Sequence, residues 1–427
     1  MTRARGIVLS LLLLTTFLAI YIASPVKTSF DSKWSIHTAL SLAEGKGGDL
    51  REYLPIEERN SYRMLQLGER YYTVFPVGTS ALAAPVVAAL SWLDPDFKQN
   101  ILRVHPDHFE KNLASIYAAI AALLFFWLIY SRFPSVPIAL VTTAIFALGT
   151  SMWSTASRAL WQHGPLVMML VAAMLLLVRG RQRPSLVQYA SIPLALAFII
   201  RPTAAIPIAV LSAYVLIRHR EWFIRYALYG IVIVIPWIAY NLHEFGQVIP
   251  DYYRTGRLAR RPLRVAAPGN LFSPARGLFV YSPVLLLSLS GLVLALRNRD
   301  ERLLSTCFGV IIVAHWLLVS CFVHWWGGHS YGPRFMTDIV PFLAYFVAFN
   351  FEALSTLSGL RLWMARSCIV LLAAISVVMH GIGAVSTESY QWNRVPTDVD
   401  AEPARLWDWR DPPFVRVWTV PHPRNAP

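Results

Sequence analysis

FPVGTSALAAPVVAALSWL, residues 75–93, is the stretch on which the topology of this 427-residue chain turns. It is uncharged and apolar enough to enter a bilayer, but an upright span needs about 20 apolar residues, so it could cross or lie on the surface. If it crosses, every later connection changes side. If it lies on the surface, the chain has one long outer loop, residues 25–111.

The surroundings are those of a membrane protein. With 56% hydrophobic residues, 15% charged residues and a mean hydropathy of +0.48, a soluble globular chain is excluded. The first apolar run, residues 7–22, follows Arg3 and Arg5 like a signal peptide, but the many later runs make an uncleaved first helix the expected reading. Further spans are expected at 112–130, 135–150, 164–178, 186–200, 204–217, 226–243, 278–296, 303–322, 339–354 and 366–384. The distribution of arginine decides between the two topologies. With 75–93 on the surface, Arg132, Arg179, Arg181, Arg183, Arg218, Arg220, Arg225, Arg297, Arg299, Arg302, Arg361 and Arg366 all fall on the side of the N-terminus. With it crossing, all these short basic loops invert. The expected fold is therefore an all-α polytopic membrane protein with about 11 transmembrane helices and interfacial helices in the outer first loop. The transmembrane domain covers residues 1–384, and residues 385–427 form an extracytoplasmic tail.

The net charge of +14 comes mainly from arginine. In a chain with this much lipid-facing surface it implies anionic headgroups or lipid phosphates as counterparts, and no nucleic acid. Cys307, Cys321 and Cys368 lie in apolar runs and read as small buried hydrophobes.

Polar mass concentrates on the outer side. Trp325-Trp326-Gly327-Gly328-His329-Ser330-Tyr331-Gly332-Pro333-Arg334 stands between two apolar runs. Such a stretch is costly beside hydrocarbon unless it lines a water-accessible site. Its tryptophans could stack on a sugar, with His329 and Tyr331 beside them, or anchor at the membrane interface, and Arg334 offers a planar fork for phosphate or carboxylate. Arg276 is a further phosphate candidate, and Arg254 leads a run with Arg257, Arg260, Arg261 and Arg264 that reads either as phosphate-binding or as a solvated patch on anionic headgroups. Arg201, before Pro202, is expected at a helix break, snorkelling or touching lipid phosphate. Arg158, His163 and His37 face the same outer side and suit sugar or acceptor hydroxyls, with interface anchoring an equal reading for Arg158 and His163. Asp31, just past the first helix, reads either as an N-cap of a surface helix or as a general base at the water–membrane boundary. The pairs His324/His329 and His105/His108 have no carboxylate partner at ligand spacing, so no metal site is read.

An acidic residue a few positions into a long outer loop after a short first helix resembles the GT-C superfamily of polytopic glycosyltransferases, which includes protein O-mannosyltransferases and lipid A aminoarabinose transferases. Residues 39–45 and 71–78 resemble the juxtamembrane helices of that loop, and residues 272–279 and 326–334 resemble motifs of bacterial members. The resemblance implies transfer of a sugar from a polyprenyl-phosphate donor to a glycan, lipid or protein acceptor, with inversion, at the outer face of a bacterial inner membrane. It makes Asp31 the general base. Many members pair two acids at this position, whereas here Ser32 follows Asp31, so no cofactor is certain and a divalent metal is only compatible. The rival readings are a flippase or transporter for a polyprenyl-linked or anionic substrate, and a polyprenyl-diphosphate glycan ligase or polymerase.

Overall fold

The computed structural model describes residues 2–28, 30–104, 106–254, 256, 258 and 263–419, without the side chains of 101–104. Seven of the described helices are long and apolar enough to cross a membrane: Arg3–Ala23, Pro106–Arg132, His163–Gly180, Arg220–Phe245, Arg302–Ser320, Arg334–Thr356 and Gly359–Val385. Shorter apolar helices are Gly78–Leu93, Val136–Leu148, Pro184–Ile200, Pro202–Arg218 and Pro283–Arg297. The protein is thus a helical membrane protein. Ile224, Leu228, Ile231, Val232 and Ile235 are exposed along one helix, and Val370, Leu371 and Val378 along another. Such stripes are unfavourable in water and suited to lipid. Pro106–Arg132 is instead mostly buried, and Ala114, Ala118, Ala121 and Ala122 let neighbouring backbones come close.

The short helices have local causes. Val136–Leu148 starts where Ser135 Oγ accepts the Ile138 N–H and stops at Gly149, followed by a π-helical turn over Met152–Ala156. At about 1.5 Å per residue it reaches roughly 20 Å, short of a ~30 Å hydrocarbon core. The expected break before Pro202 is present: Arg201 is extended (φ −155°), between Ser191–Ile200 and the following 3-10 turn.

The chain divides into two compact units, each discontinuous in sequence. One comprises Met1–Val26, Phe125–Ala156 and Arg257–Pro427, and the other Lys27–Leu124 and Ser157–Gly256. The second unit contains residues 27–111, nearly all of the long first loop expected from the sequence. Ser35–Ala43 is helical, as expected for residues 39–45, but residues 71–78 correct the expectation of helix. Arg70–Thr73 is a strand paired antiparallel with Met64–Leu67, with Leu67 opposite Arg70. Aromatic and β-branched Tyr71, Tyr72 and Thr73 favour a pleated strand, and Gly68, at φ +60°, makes the tight turn. Gly78 opens the helix Gly78–Leu93 against the Ile199 backbone, where a Cβ would lie only 2.5 Å from the Ile199 carbonyl carbon.

Candidate functional site

In the second unit the chain leaves the first helix extended, and Thr28 N–H donates to the Arg158 carbonyl (3.4 Å). A turn follows, then Ser35–Ala43, whose N-cap is Trp34 with no side-chain cap bond. Neither Asp31 nor Ser32 is this helix's N-cap residue, which corrects the capping reading: Trp34 is drawn in by packing with Leu50 and Leu54. Asp31 is half-buried in the turn, where its Oδ1 accepts the Tyr62 hydroxyl (3.3 Å) and Arg63 Nε donates to the same Tyr62 oxygen (3.3 Å).

Behind this turn lies a belt of buried polar side chains. Glu110, Lys111, Arg158, Gln162, His163 and Arg201 are all buried. Glu110 Oε1 accepts the Leu160 N–H (2.8 Å), and Ser115 Oγ donates to the Ser157 carbonyl (3.2 Å), fixing residues 157–162 against the start of Pro106–Arg132. Arg158, with no exposed surface, donates through Nε and Nη2 to Ser157 Oγ (3.1 and 3.0 Å). Lys111 lies close enough to feel both Arg158 and Lys27, and Lys27 Nζ meets His108 Nε2 at 2.6 Å. Arg201 does not snorkel. It turns inward, Nη1 donating to Gln162 Oε1 (3.2 Å) and Nε to Thr203 Oγ1 (3.1 Å). His163, the first residue of His163–Gly180, is buried in the same belt. His37 is corrected from an acceptor contact to a core residue: it packs between Trp34 (4.9 Å) and Tyr53 (5.7 Å), and burial lowers its pKa to about 4. It is neutral and enclosed in the packing of this loop. Arg254 is exposed and paired with Asp251 (3.1 Å) and Gln247 (2.8 Å). Arg257, Arg260, Arg261 and His105 lie outside the described residues.

The first unit holds the Trp-Trp-Gly-Gly stretch, which the C-terminal tail covers. Trp325 and Trp326 pack with Ala266, Ala275, Trp392, Val399 and Leu406 and are buried. They are core rather than a sugar platform. Tyr331 is likewise buried, its hydroxyl donating to the Met379 carbonyl (2.7 Å). Arg276, 1% exposed, gives Nε to Trp326 O (2.8 Å), Nη1 to Ala275 O (2.9 Å), and Nη2 to Gly328 O (3.0 Å) and Asn393 Oδ1 (2.6 Å). Burial brings its pKa down to about 10, so it stays charged at neutral pH. Its fork is taken up by the chain, which corrects the phosphate assignment for this residue. Arg334 remains half-exposed, with Nη1 donating to Gly327 O (3.1 Å).

His329 also departs from expectation. Its Nε2 lies 3.0 Å from Asp398 Oδ1 and 3.7 Å from Asp400 Oδ2, both carboxylates coming from the tail. Spacing near His329 could not reveal partners 69 residues away. Glu110 and Lys111, also missed, had one signal: a charged pair at the mouth of an apolar run.

No protein-family model matches the chain, and no curated protein matches it.

Proposed function

We propose that this protein is an integral-membrane glycosyltransferase of GT-C type, moving a sugar from a polyprenyl-phosphate donor to an outer acceptor, with about eleven crossings. The carrying observation is the second unit's arrangement of an acid, Asp31, held in a turn without a helix-capping role, three residues after Thr28, whose N–H donates to the backbone carbonyl of Arg158 in a buried cationic belt. Buried charge at the ends of apolar helices is costly, and its retention favours a functional role. In this reading Asp31 removes the acceptor's proton. Arg158, Lys111 and Arg201 stabilise the negative charge that develops on the departing lipid phosphate.

Ion pairs support a non-crossing Gly78–Leu93, the premise of an outer placement of residues 25–111. Lys98, just past Gly78–Leu93, pairs with Glu44 (2.9 Å) and Glu52 (2.8 Å), which precede that helix. In this reading the chain returns to the side it started from without crossing. Single cysteines replacing Ser61 and Gln99, in a background without Cys307, Cys321 and Cys368, should both react with an impermeant thiol reagent applied outside. Protection of the Gln99 site alone would reverse this placement.

The activity test uses purified protein in lipid discs with polyprenyl-phosphate-linked sugars. Mass spectrometry should detect polyprenyl monophosphate released in step with glycosylated acceptor. Release of diphosphate would establish a ligase, and movement of intact donor a flippase. Transport draws on one observation of its own, a buried His315–Asp338 pair (3.7 Å) within two candidate spans. The same assay separates the two.

A further inference from the structure

From His329, Asp398 and Asp400 we infer a divalent metal site, of the zinc class, that clasps the C-terminal tail onto the Trp-Trp-Gly-Gly loop. One ligand atom from each residue, His329 Nε2 and a carboxylate oxygen from each aspartate, falls within a 4.8 Å group. Ligands about 2.0–2.2 Å from a common Zn²⁺ sit at comparable mutual distances, so small side-chain rotations bring the three donors onto one ion, with water as the fourth ligand.

The supports around the trio fix the direction of each ligand. Val399, between the two aspartates, is fully buried among Trp325, Trp326 and Trp392, which pins both carboxylates beside one imidazole. Trp326 Nε1 donates to Asp400 Oδ1 (2.7 Å), and Oδ2 is the oxygen on the His329 side. Asp398 Oδ1 accepts the Asp400 N–H (2.9 Å), and the Tyr390 hydroxyl donates to the His329 carbonyl (3.2 Å), joining loop to tail. Outer contacts of this kind orient metal ligands. Gly327 and Gly328, at φ +74° and +62°, turn the loop immediately before His329.

The identity of the ion follows from donors and field. Arg276 acts electrostatically on Asp400 and Arg394 on Asp398, so net negative charge is modest. A hard ion held by charge alone, such as Ca²⁺, gains little here. An ion that bonds directly to imidazole gains more, and Zn²⁺ is the leading choice with Mn²⁺ behind it. The site is independent of the transfer reaction proposed above, since its role is to hold the tail.

The test is Zn²⁺ titration of the chelator-stripped full chain in lipid discs, followed by calorimetry. Wild type should take up about one equivalent per chain. Trp326→Phe, which leaves all three ligands in place, should weaken binding roughly 10–100-fold, and His329→Gln and Asp400→Asn at least as much. Asp408→Asn, a tail carboxylate outside the trio, should bind like wild type. Hydrogen exchange of wild type with and without Zn²⁺ gives a readout independent of any variant's folding: Zn²⁺ should slow exchange over residues 390–407. Wild-type binding no tighter than that of His329→Gln, or unchanged exchange in the tail, overturns the assignment.

Discussion

Asp31→Asn should lose turnover by about 10²–10⁴-fold while leaving the fold intact, the range expected for removal of a general base. The fold is expected to survive because Asp31 is not the N-cap of the adjacent helix and is only half-buried. Asparagine keeps an oxygen for the Tyr62 hydroxyl and loses only the ability to take a proton. Thermal unfolding in detergent should therefore match wild type, and binding of a non-reactive polyprenyl phosphate should change little. Product formation should collapse. Tyr62→Phe removes a hydrogen bond that positions the carboxylate without removing the base, so its loss should be far smaller. Near-native transfer by purified Asp31→Asn would leave Asp31 as a turn residue and move the search for the base to Glu110, the buried carboxylate of the same unit.

The helices were legible because apolar composition is a local property. Residues 112–130, 164–178, 226–243 and 366–384 each fall inside an observed helix. The observed ends run further, as at Pro106–Arg132 and Arg220–Phe245, because a helix continues into polar interface where hydropathy no longer marks it. The hairpin was not legible: its strands are short, and the resemblance to juxtamembrane helices outweighed the strand preference of Tyr71-Tyr72-Thr73. The cap failed for a similar reason. Asp31 and Ser32 are the residue types that cap helices, but burial of Trp34 moved the helix start beyond them.

The site divides along the same line. That residues 325–334 were exceptional could be read from glycines, aromatics and arginine crowded between apolar runs. What satisfies them could not. A buried arginine looks identical in sequence whether its acceptor is a phosphate or a carbonyl, and the acceptor from Asn393 lies 117 residues from Arg276. The same distance problem hid Asp398 and Asp400 from His329. In the second unit the belt was partly legible, since Arg158, His163 and Arg201 are polar residues at the ends of apolar runs. Their convergence with Glu110 and Lys111 is tertiary.

Arg276→Ala should release the tail and destabilise the first unit by several kcal/mol, since unsatisfied buried polar groups cost about 1–3 kcal/mol each. Four of the arginine's five N–H groups donate to Trp326 O, Ala275 O, Gly328 O and Asn393 Oδ1. Lysine keeps the charge, but its compact ammonium cannot span acceptors arranged around a planar fork, so Arg276→Lys should recover little. Loosening is read from faster hydrogen exchange over residues 386–407 and from red-shifted tryptophan emission, because Trp326 and Trp392 lose their enclosure. Arg334→Ala is the comparison. That side chain is half-exposed and donates to Gly327 O, so its removal should cost about 1 kcal/mol and leave the tail in place. Were Arg276 a phosphate ligand, the order would differ: Arg276→Ala would keep native exchange and emission and lose only donor affinity. Native tail protection in Arg276→Ala would therefore return this arginine to the donor site, and a released tail fixes it as the post on which loop and tail are built.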